Sequence, residues 1–237
     1  MTRQVFIDVF EDGLARQPVD RSLVVVDVIR ASTTAITAVA AGHRCFPATS
    51  LDDAARLASE LTNPLLAGEL GGHTPFDFDL GNSPASLMAL TRRDRPLVLL
   101  SSSGTSLMVM AADRTSAGYV GSLRNLDAMV TRLITDDRDV ALIGAGSRGE
   151  FREEDQYGCA RIAEGLVDRG WEPGDPPTAS IHDRWRAQPV ESFLGSRSVD
   201  FLRKTNQTED LDFILDHVDD LPSVFRMSGR ELVSEAP

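Results

Sequence analysis

Several patterns are absent from this 237-residue chain, and each absence argues against a class of protein. No run of about 18 apolar residues occurs, so no membrane-spanning helix is expected. No block of five like charges occurs, so the chain has no polyacidic or polybasic tail. The N-terminus places acidic residues within its first apolar stretch, where a secretory signal would be apolar throughout. We therefore expect neither membrane insertion nor secretion.

Cysteine and lysine are also scarce. Two cysteines, Cys45 and Cys159, are too few for a disulfide framework, which favours a reducing cytoplasm as the location. Lys204 is the only lysine, so an anion site would use arginine, backbone N–H groups or a metal ion. The formal net charge of −12 argues against general nucleic-acid binding, which needs a basic surface.

Apolar stretches typical of strands alternate with helical patterns along the chain. The stretch 23–29 is almost continuously apolar, as expected for a strand covered on both faces. This alternation predicts an α/β protein with a mainly parallel sheet and helices on both faces. The predicted strands are 5–10, 23–29, 44–49, 64–69, 97–101, 117–122, 139–146 and 223–228; the predicted helices are 31–42, 54–61, 104–112, 126–133, 155–169, 191–203 and 209–218; a turn-rich loop spans 70–84 and a proline-rich break 172–180.

No clear linker divides the chain, so residues 1–237 are predicted to form one unit. A weak internal similarity connects LVVVDVIRASTT and LVLLSSSGTS, since each runs from an apolar strand into a hydroxyl-rich turn that opens a helix. Duplication would give two related halves, about 1–95 and 96–237. Convergent use of strand ends explains the similarity equally well, and both explanations stay open.

The first polar cluster follows the strand 23–29, and ligands of parallel sheets collect at the carboxyl ends of strands. Asp27 ends the strand, Arg30 follows three residues later, and Ser32 and Thr33 open a helix. Free N–H groups at a helix start, together with hydroxyls and an arginine, favour an oxyanion site. An ordinary helix cap with Arg30 paired to Asp27 is the alternative.

Three further strand ends carry polar groups. Glu69 is followed by a loop containing Asp77, Asp79, Asn82 and Ser83, where crowded carboxylates suit a hard metal ion and a solvated acidic loop is the plainer alternative. The sequence SSSGT at 101–105 allows close approach of a ligand to the backbone, and a plain turn is the alternative. After the strand 139–146, GAGSRG is followed by a charged run that ends in Asp155, which is either a metal ligand or an acidic helix start.

Several familiar signatures fail. GAGSRG matches a dinucleotide fingerprint, but the charged run after it and WEPGDPP about 20 residues later do not fit that site, so a dinucleotide-dependent enzyme is a minor alternative. The position two residues after Asp27 is Ile29, which breaks an aspartyl-phosphate motif. The residue six positions after Cys159 is Gly165 where a cysteine phosphatase needs arginine, so Cys159 is predicted as core. The four histidines show no zinc spacing.

The ordered set DVIRASTT, GE, FDLGNSP, SSSGT, GSLRN and GAGSRGEFREEDQYGCA resembles the 2-phosphosulfolactate phosphatase family of coenzyme M biosynthesis. The likeness runs from about residue 23 to 169 and is weaker in the tail. It implies a three-layer α/β/α fold of two related halves, dependence on Mg²⁺, and hydrolysis of phosphate from 2-phosphosulfolactate, a small anionic metabolite. The residues that match the family's recurrent polar positions are Asp27, Arg30, Glu69, Asn82, Ser83, Gly104, Thr105, Asn125 and Asp155.

The roles we expect follow from residue chemistry. Asp27, Glu69 and Asp155 are the candidate Mg²⁺ ligands and, with Arg30, the candidate catalytic residues; Arg30 would hold phosphate or sulfonate. Substrate-binding donors are expected from Ser32, Thr33, Asn82, Ser83, Ser103, Gly104, Thr105 and Asn125. We predict that Asp27→Asn lowers turnover and that Arg30→Ala weakens substrate binding.

The chain departs from the family pattern at several positions. Leu70 replaces the arginine of G-E-R, Thr74 a basic residue, Asp77 a glycine, and Ser103 the asparagine of T-T-N-G-T. Two alternatives therefore stay open beside a 2-phosphosulfolactate phosphatase: a phosphatase for another phosphomonoester, and a non-catalytic protein that binds a small anion. The oligomeric state is also open, a homo-oligomer included.

Overall fold

Ten strands form one mixed sheet in the computed structural model, which describes residues 2–237. The first eight form two blocks with parallel pairing inside each block, and the last two form an antiparallel hairpin. The strands are β1 (Gln4–Val9), β2 (Ser22–Val26), β3 (Cys45–Ala48), β4 (Leu65–Gly68), β5 (Leu97–Leu100), β6 (Gly118–Gly121), β7 (Val140–Gly144), β8 (Glu172–Pro173), β9 (Val224–Ser228) and β10 (Glu231–Glu235).

Ten α-helices connect and cover these strands within the same residues. They are α1 (Phe10–Ala15), α2 (Ala31–Ala40), α3 (Leu51–Glu60), α4 (Pro84–Met88), α5 (Gly104–Arg114), α6 (Leu126–Asp136), α7 (Glu153–Val167), α8 (Pro176–Trp185), α9 (Arg197–Lys204) and α10 (Thr208–Asp216). Short 3₁₀ turns occupy Leu123–Asn125 and Val190–Phe193. None of these helices is long and apolar enough to span a bilayer.

The strand order is β4-β5-β3-β10-β9-β6-β2-β7-β1-β8, and it contains two parallel blocks. Three successive antiparallel pairings, β6 with β9, β9 with β10 and β10 with β3, separate them. Because three such steps reverse direction, β3, β5 and β4 run opposite to β6, β2, β7, β1 and β8. The connections β2-α2-β3-α3-β4 and β5-α5-β6-α6-β7 occupy corresponding places on either side of the hairpin. That two related halves exist stays a prediction.

Helices α2 and α5 hold the two blocks together, because each packs against strands of both. Alternate residues of β2 show the layering. Leu23 and Val25 share a buried cluster with Leu97 and Leu99 of β5, whereas Val24 and Val26 belong to the cluster formed with α6 and α7. A third cluster lies between α3 and the outer face of β5. The carboxyl ends of the two blocks consequently meet beside the starts of α2 and α5.

The α/β class and the mainly parallel sheet with helices on both faces are confirmed. The expectation of a strand buried on both faces at 23–29 is confirmed in its first half, since Leu23 to Val26 are fully buried. The strand is shorter than predicted and ends at Val26. Cys159 is buried in α7, and burial raises the pKa of its thiol, as a core cysteine requires.

The proline-rich break predicted at 172–180 is wrong, because α8 begins inside it. Pro176 and Pro177 occupy the first helical turn, where a missing N–H costs nothing. Asp175 caps this helix by accepting a hydrogen bond from the Thr178 amide at 2.8 Å. The short α1 and the final strand β10 also lacked a pattern that would have predicted them. A two-residue turn that contains Gly229 joins β10 to β9.

Gly68 controls the spacing between β4 and β5 directly before Glu69. Its φ is +155°, and a Cβ there would lie 2.2 Å from the carbonyl oxygen of Leu100. We expect Gly68→Ala to lower the free energy of unfolding by about 3–5 kcal/mol, because backbone strain and overpacking add. Gly229→Ala, where φ is +59° and the space is open, is the control, with a loss of about 1–2 kcal/mol. Urea unfolding followed by circular dichroism measures both, and equal losses would contradict the argument.

Candidate active site

A cavity of about 720 Å³ lies where the carboxyl ends of the two blocks meet. Four strand-end segments and one helix line it: the β2–α2 turn, the loop after β4, the β5–α5 turn, the segment between β7 and α7, and α9. The structure therefore brings together six residues that the sequence analysis singled out. These are Asp27, Arg30, Glu69, Asn82, Ser103 and Asp155.

Asp27 lies at the bottom of the β2–α2 turn with 8% of its surface exposed. Its Oδ1 accepts a hydrogen bond from the Ala31 amide at 3.1 Å, whereas Oδ2 accepts none from residues 2–237. Oδ2 lies against Gly104 of α5, where a Cβ would approach it to 2.3 Å. The absence of a side chain at Gly104 is thus what allows α5 to start beside this carboxylate.

Burial raises the pKa of Asp27 to about 7, and the nearby charges of Glu69 and Glu154 add to that effect. Asp155 is buried as well, and burial together with the charges of Asp27 and Glu154 raises its pKa well above the ordinary value. Glu154, at 1% exposure, has an Oε2 without a hydrogen-bond partner in the described chain. When they are ionised, three buried carboxylates repel one another because little water screens their charges. A cation nearby would reduce that repulsion.

Asp155 also holds two loops in place. Its Oδ1 accepts from the Val28 amide and its Oδ2 from the Gly146 amide, each at 2.9 Å. The first amide belongs to the β2–α2 turn and the second to the segment after β7. The carboxylate at the start of α7 therefore ties the adjoining strand ends β2 and β7 to each other.

Glu69 plays a comparable part in the other block. Its Oε1 accepts from the Ser102 amide at 2.8 Å, and its Oε2 accepts from the Ser102 hydroxyl at 2.9 Å and the Gly72 amide at 2.7 Å. The loop after β4 and the β5–α5 turn are joined in this way. Asn82, on the same loop, is 3% exposed and its Oδ1 has no hydrogen-bond partner within residues 2–237. That oxygen is a buried acceptor whose hydrogen-bonding capacity is unused within the described residues.

Two tight turns face the cavity from opposite blocks. In one, Leu70 and His73 exchange backbone hydrogen bonds of 2.9 and 3.1 Å around Gly71 and Gly72. In the other, Ser147 and Glu150 exchange bonds of 2.9 and 3.0 Å. Both central residues of each turn have positive φ, which is the type I′ geometry. Arg148 at the tip of the second turn donates to the carbonyl of Gly71 at 3.4 Å and so connects the two.

Arg30 is buried in the cavity wall, with 7% of its surface exposed, and it is already paired. Its Nη1 donates to the Asp210 carboxylate of α10 and to the Gln207 side chain. The other Asp210 oxygen accepts from the Ser83 hydroxyl at 2.6 Å and the Ala85 amide at 3.1 Å. The alternative pairing of Arg30 with Asp27 that the sequence left open is absent from the hydrogen bonds of residues 2–237. Arg30 instead fastens the C-terminal helices to the site.

Six predicted substrate-binding residues do not line the cavity, although Gly104 contacts Asp27. Their polar groups are used within the fold. The Ser32 hydroxyl accepts from the Asp27 amide, and the Thr33 hydroxyl donates to the Val28 carbonyl. The Ser83 hydroxyl caps α4 by accepting from the Ser86 amide, and Thr105 closes a turn with Ser101. The Asn125 side chain completes a capping box with Ser122 and is fully buried. Hydroxyl and amide side chains at strand ends satisfied the backbone here, which sequence alone did not distinguish from ligand binding.

A family model for 2-phosphosulpholactate phosphatase matches residues 10–228. The chain belongs to the 2-phosphosulpholactate phosphatase family. It is similar to proteins named probable 2-phosphosulfolactate phosphatase from Carboxydothermus hydrogenoformans, at 34% identity over 151 residues, and Thermus thermophilus, at 33% over 197 residues. The aligned parts are 63% of this chain and 62% of the first relative, and 81% of both chains for the second.

Four cations of the cavity wall were not among the predicted site residues. They are Arg148 and Arg152 before α7, and Arg197 and Lys204 on α9. The charged run 152–155 was visible in the sequence, but we interpreted it only through its acidic residues, as a helix start or a metal ligand, and not through Arg152. Nothing in the pattern of 191–203 pointed to the site. In the structure these residues supply positive charge to a cavity in which this family member has Leu70 rather than arginine after Glu69.

Among residues 2–237, no three His, Cys, Asp or Glu side chains converge as a ready metal-binding group. The predicted trio of Asp27, Glu69 and Asp155 lines one cavity, but Glu69 and Asp155 each use both oxygens to accept hydrogen bonds from neighbouring loops. Asp27 alone of the three keeps an oxygen free of such bonds. The trio therefore shares a site without forming a closed cage.

Arg30→Ala tests how much of the fold rests on the Arg30–Asp210 pair. Because both side chains are less than a tenth exposed, the substitution leaves an unpaired buried carboxylate, and we expect a loss of about 3–5 kcal/mol in the free energy of unfolding. Arg16→Ala, which removes an exposed partner of Asp8, should cost about 1 kcal/mol or less. Denaturant unfolding compares the two variants. A stable Arg30→Ala protein would show that the pair contributes little, and its substrate binding would then report directly on Arg30.

Proposed function

We propose that the protein is a phosphatase that hydrolyses the phosphomonoester of a small, multiply anionic metabolite. Membership of the family and the names of the relatives favour 2-phosphosulfolactate as the substrate, with sulfolactate and phosphate as products. The observation that carries the proposal is the meeting of buried carboxylates with a buried arginine in one cavity at the strand ends. Carboxylates bind a cation and orient water, and the arginine offsets phosphoryl charge.

Mg²⁺ is the cofactor we infer, and the donor set suits it. Mg²⁺ takes one or two carboxylates and keeps several waters, so it needs no cage of three protein ligands. The free Oδ2 of Asp27 would be its direct ligand, and Glu69 and Asp155 in the same cavity would add negative charge beside it. Burial, together with nearby carboxylates, raises the pKa of both Asp27 and Asp155, and a divalent cation would favour their charged forms. When bound, the ion would neutralise charge on the phosphoryl oxygens.

The remaining roles fall to side chains of the chain itself. Arg30, held by Asp210, presents a positive charge to the phosphate without having to be ordered on binding. The unpartnered Oδ1 of Asn82 accepts a hydroxyl or a water in the cavity. A carboxylate of the Asp27, Glu69 and Asp155 set orients the attacking water in line with the leaving oxygen. A covalent intermediate on a serine or aspartate is the alternative route.

Phosphate release from 2-phosphosulfolactate and from a panel of other phosphomonoesters, with Mg²⁺ and with EDTA, is the direct test. We expect release from 2-phosphosulfolactate that EDTA abolishes and Mg²⁺ restores. Release from another ester alone would reassign the substrate. Release that EDTA leaves unchanged would remove the metal from the proposal. No release from any ester, together with binding of an anion, would favour the non-catalytic alternative that Leu70 and Ser103 suggest.

Asp27→Asn tests the carboxylate on which this proposal depends most. We expect turnover to fall by about 10²-fold or more at saturating Mg²⁺, the scale of losing a key electrostatic group. Asp77→Asn is the matched control, because Asp77 is exposed, lies outside the cavity and has a positive φ that asparagine tolerates. Steady-state kinetics of both variants measures the difference. A wild-type rate for Asp27→Asn would exclude Asp27 from the mechanism.

A further inference from the structure

Arg152 and Arg197 form a pair of guanidinium groups in the cavity wall that the proposed mechanism does not use. Arg152 precedes α7 and its side chain is 12% exposed, while Arg197 begins α9 and is 74% exposed. The Nε of Arg152 is buried and donates to no group in residues 2–237. A buried, unused guanidinium N–H is costly unless a ligand accepts from it. Arg152 thus has donor capacity that the described chain leaves unused.

The carboxylate of Glu150 bridges the two arginines. Its Oε2 accepts from Nη1 of Arg152 at 2.7 Å, and its Oε1 accepts from Nη1 of Arg197. The two guanidiniums come from different elements, yet they converge on the two oxygens of one acidic group. Guanidinium groups bind carboxylates, sulfonates and phosphates through the same kind of contact. The two arginines therefore have the arrangement of an oxyanion-binding subsite, and the Glu150 carboxylate occupies it.

Glu150 is able to leave this position without any change of the backbone. It ends the tight turn Ser147–Glu150, whose reciprocal backbone hydrogen bonds do not involve the side chain. The Glu150 side chain is 44% exposed, and so its ion pair with the still more exposed Arg197 stabilises little. An incoming anion would exchange one carboxylate for another acidic group at the same two arginines.

The charges of the wall favour such an exchange. Five basic residues and five acidic residues line the cavity, so the formal charges cancel while Glu150 is present among them. Arg30 is paired with Asp210, and Arg152 and Arg197 are paired with Glu150. A substrate that carries several negative charges gains two free guanidiniums only by displacing that carboxylate.

We propose that Arg152 and Arg197 bind the acidic group of the substrate that is not hydrolysed, a carboxylate or a sulfonate, and that Glu150 occupies their subsite until the substrate displaces it. This proposal rests on the proposed function only for the nature of the substrate, a phosphate ester with a second acidic group. Glu150 is then an internal competitor that lowers the affinity for simple anions. It selects ligands that bind through two charged groups at once.

Calorimetric titration with sulfoacetate, which has a sulfonate and a carboxylate but no phosphate, tests the proposal apart from any hydrolysis. In Glu150→Gln we expect binding at least about tenfold tighter than in the wild type, and in Arg152→Gln and Arg197→Gln at least about tenfold weaker, the scale of a charged hydrogen bond. Glu153→Gln is the control without change, because Glu153 pairs with Arg184 outside the cavity. Methanesulfonate and acetate, titrated separately, show which acidic group gains from the loss of Glu150.

Circular dichroism and thermal unfolding establish that each variant is folded, and Glu150→Ala repeats the test with a smaller side chain. Equal or weaker binding of all three probes to folded Glu150→Gln and Glu150→Ala would overturn the proposal. Unchanged binding in both arginine variants would overturn it as well. The predicted order of affinities in a protein that releases no phosphate would contradict the proposed function and leave the subsite intact.

Discussion

The repulsion between buried carboxylates is the constraint on which the site depends. Asp27, Glu154 and Asp155 are buried together at one edge of the sheet. Burial raises the pKa of Asp27 and of Asp155, and the charge of Glu154 adds to both shifts. An acidic protein would not collect such groups for stability, since burying a charge is costly unless something compensates it. The amide groups of Val28 and Gly146 supply part of that compensation to Asp155. What remains is a group of crowded carboxylates whose charge the cation proposed above would balance beside the basic residues of the same cavity.

The topology of the sheet explains how residues so distant in sequence meet. Opposite polarity of the two parallel blocks would place their carboxyl ends at different edges if the sheet were flat. Helices α2 and α5 pack against strands of both blocks, and segments that follow strands of both blocks line one cavity. Corresponding tight turns after β4 and β7 then meet through Arg148 and Gly71. Gly104 allows this closeness at the centre, because any side chain there would displace the Asp27 carboxylate.

Sequence patterns predicted the fold class and most of the strands because β2, β5 and β7 are continuous apolar stretches buried on both faces. They also placed Asp27, Glu69 and Asp155 at strand ends, which is where the cavity lies. The sequence patterns did not distinguish polar side chains that bind a ligand from those that form hydrogen bonds with the backbone. Ser32, Thr105 and Asn125 could each bind a substrate through a hydroxyl or amide group. In the structure their side-chain oxygens accept hydrogen bonds from nearby backbone amides instead. That choice depends on side-chain direction, which a linear pattern does not contain.

The C-terminal helices were the least informative part of the sequence and supply much of the positive charge of the cavity. Arg197 and Lys204 come from α9, and α10 provides Asp210, the partner of Arg30. Phe201 of α9 packs so closely on Gly72 that a Cβ there would lie 2.6 Å from its ring. These contacts connect the tail to the loops of both blocks, so the shape of the cavity and its electrostatic balance are determined together. The polar residues at strand ends in the first two thirds of the chain and the basic residues of the last third therefore form one cavity together.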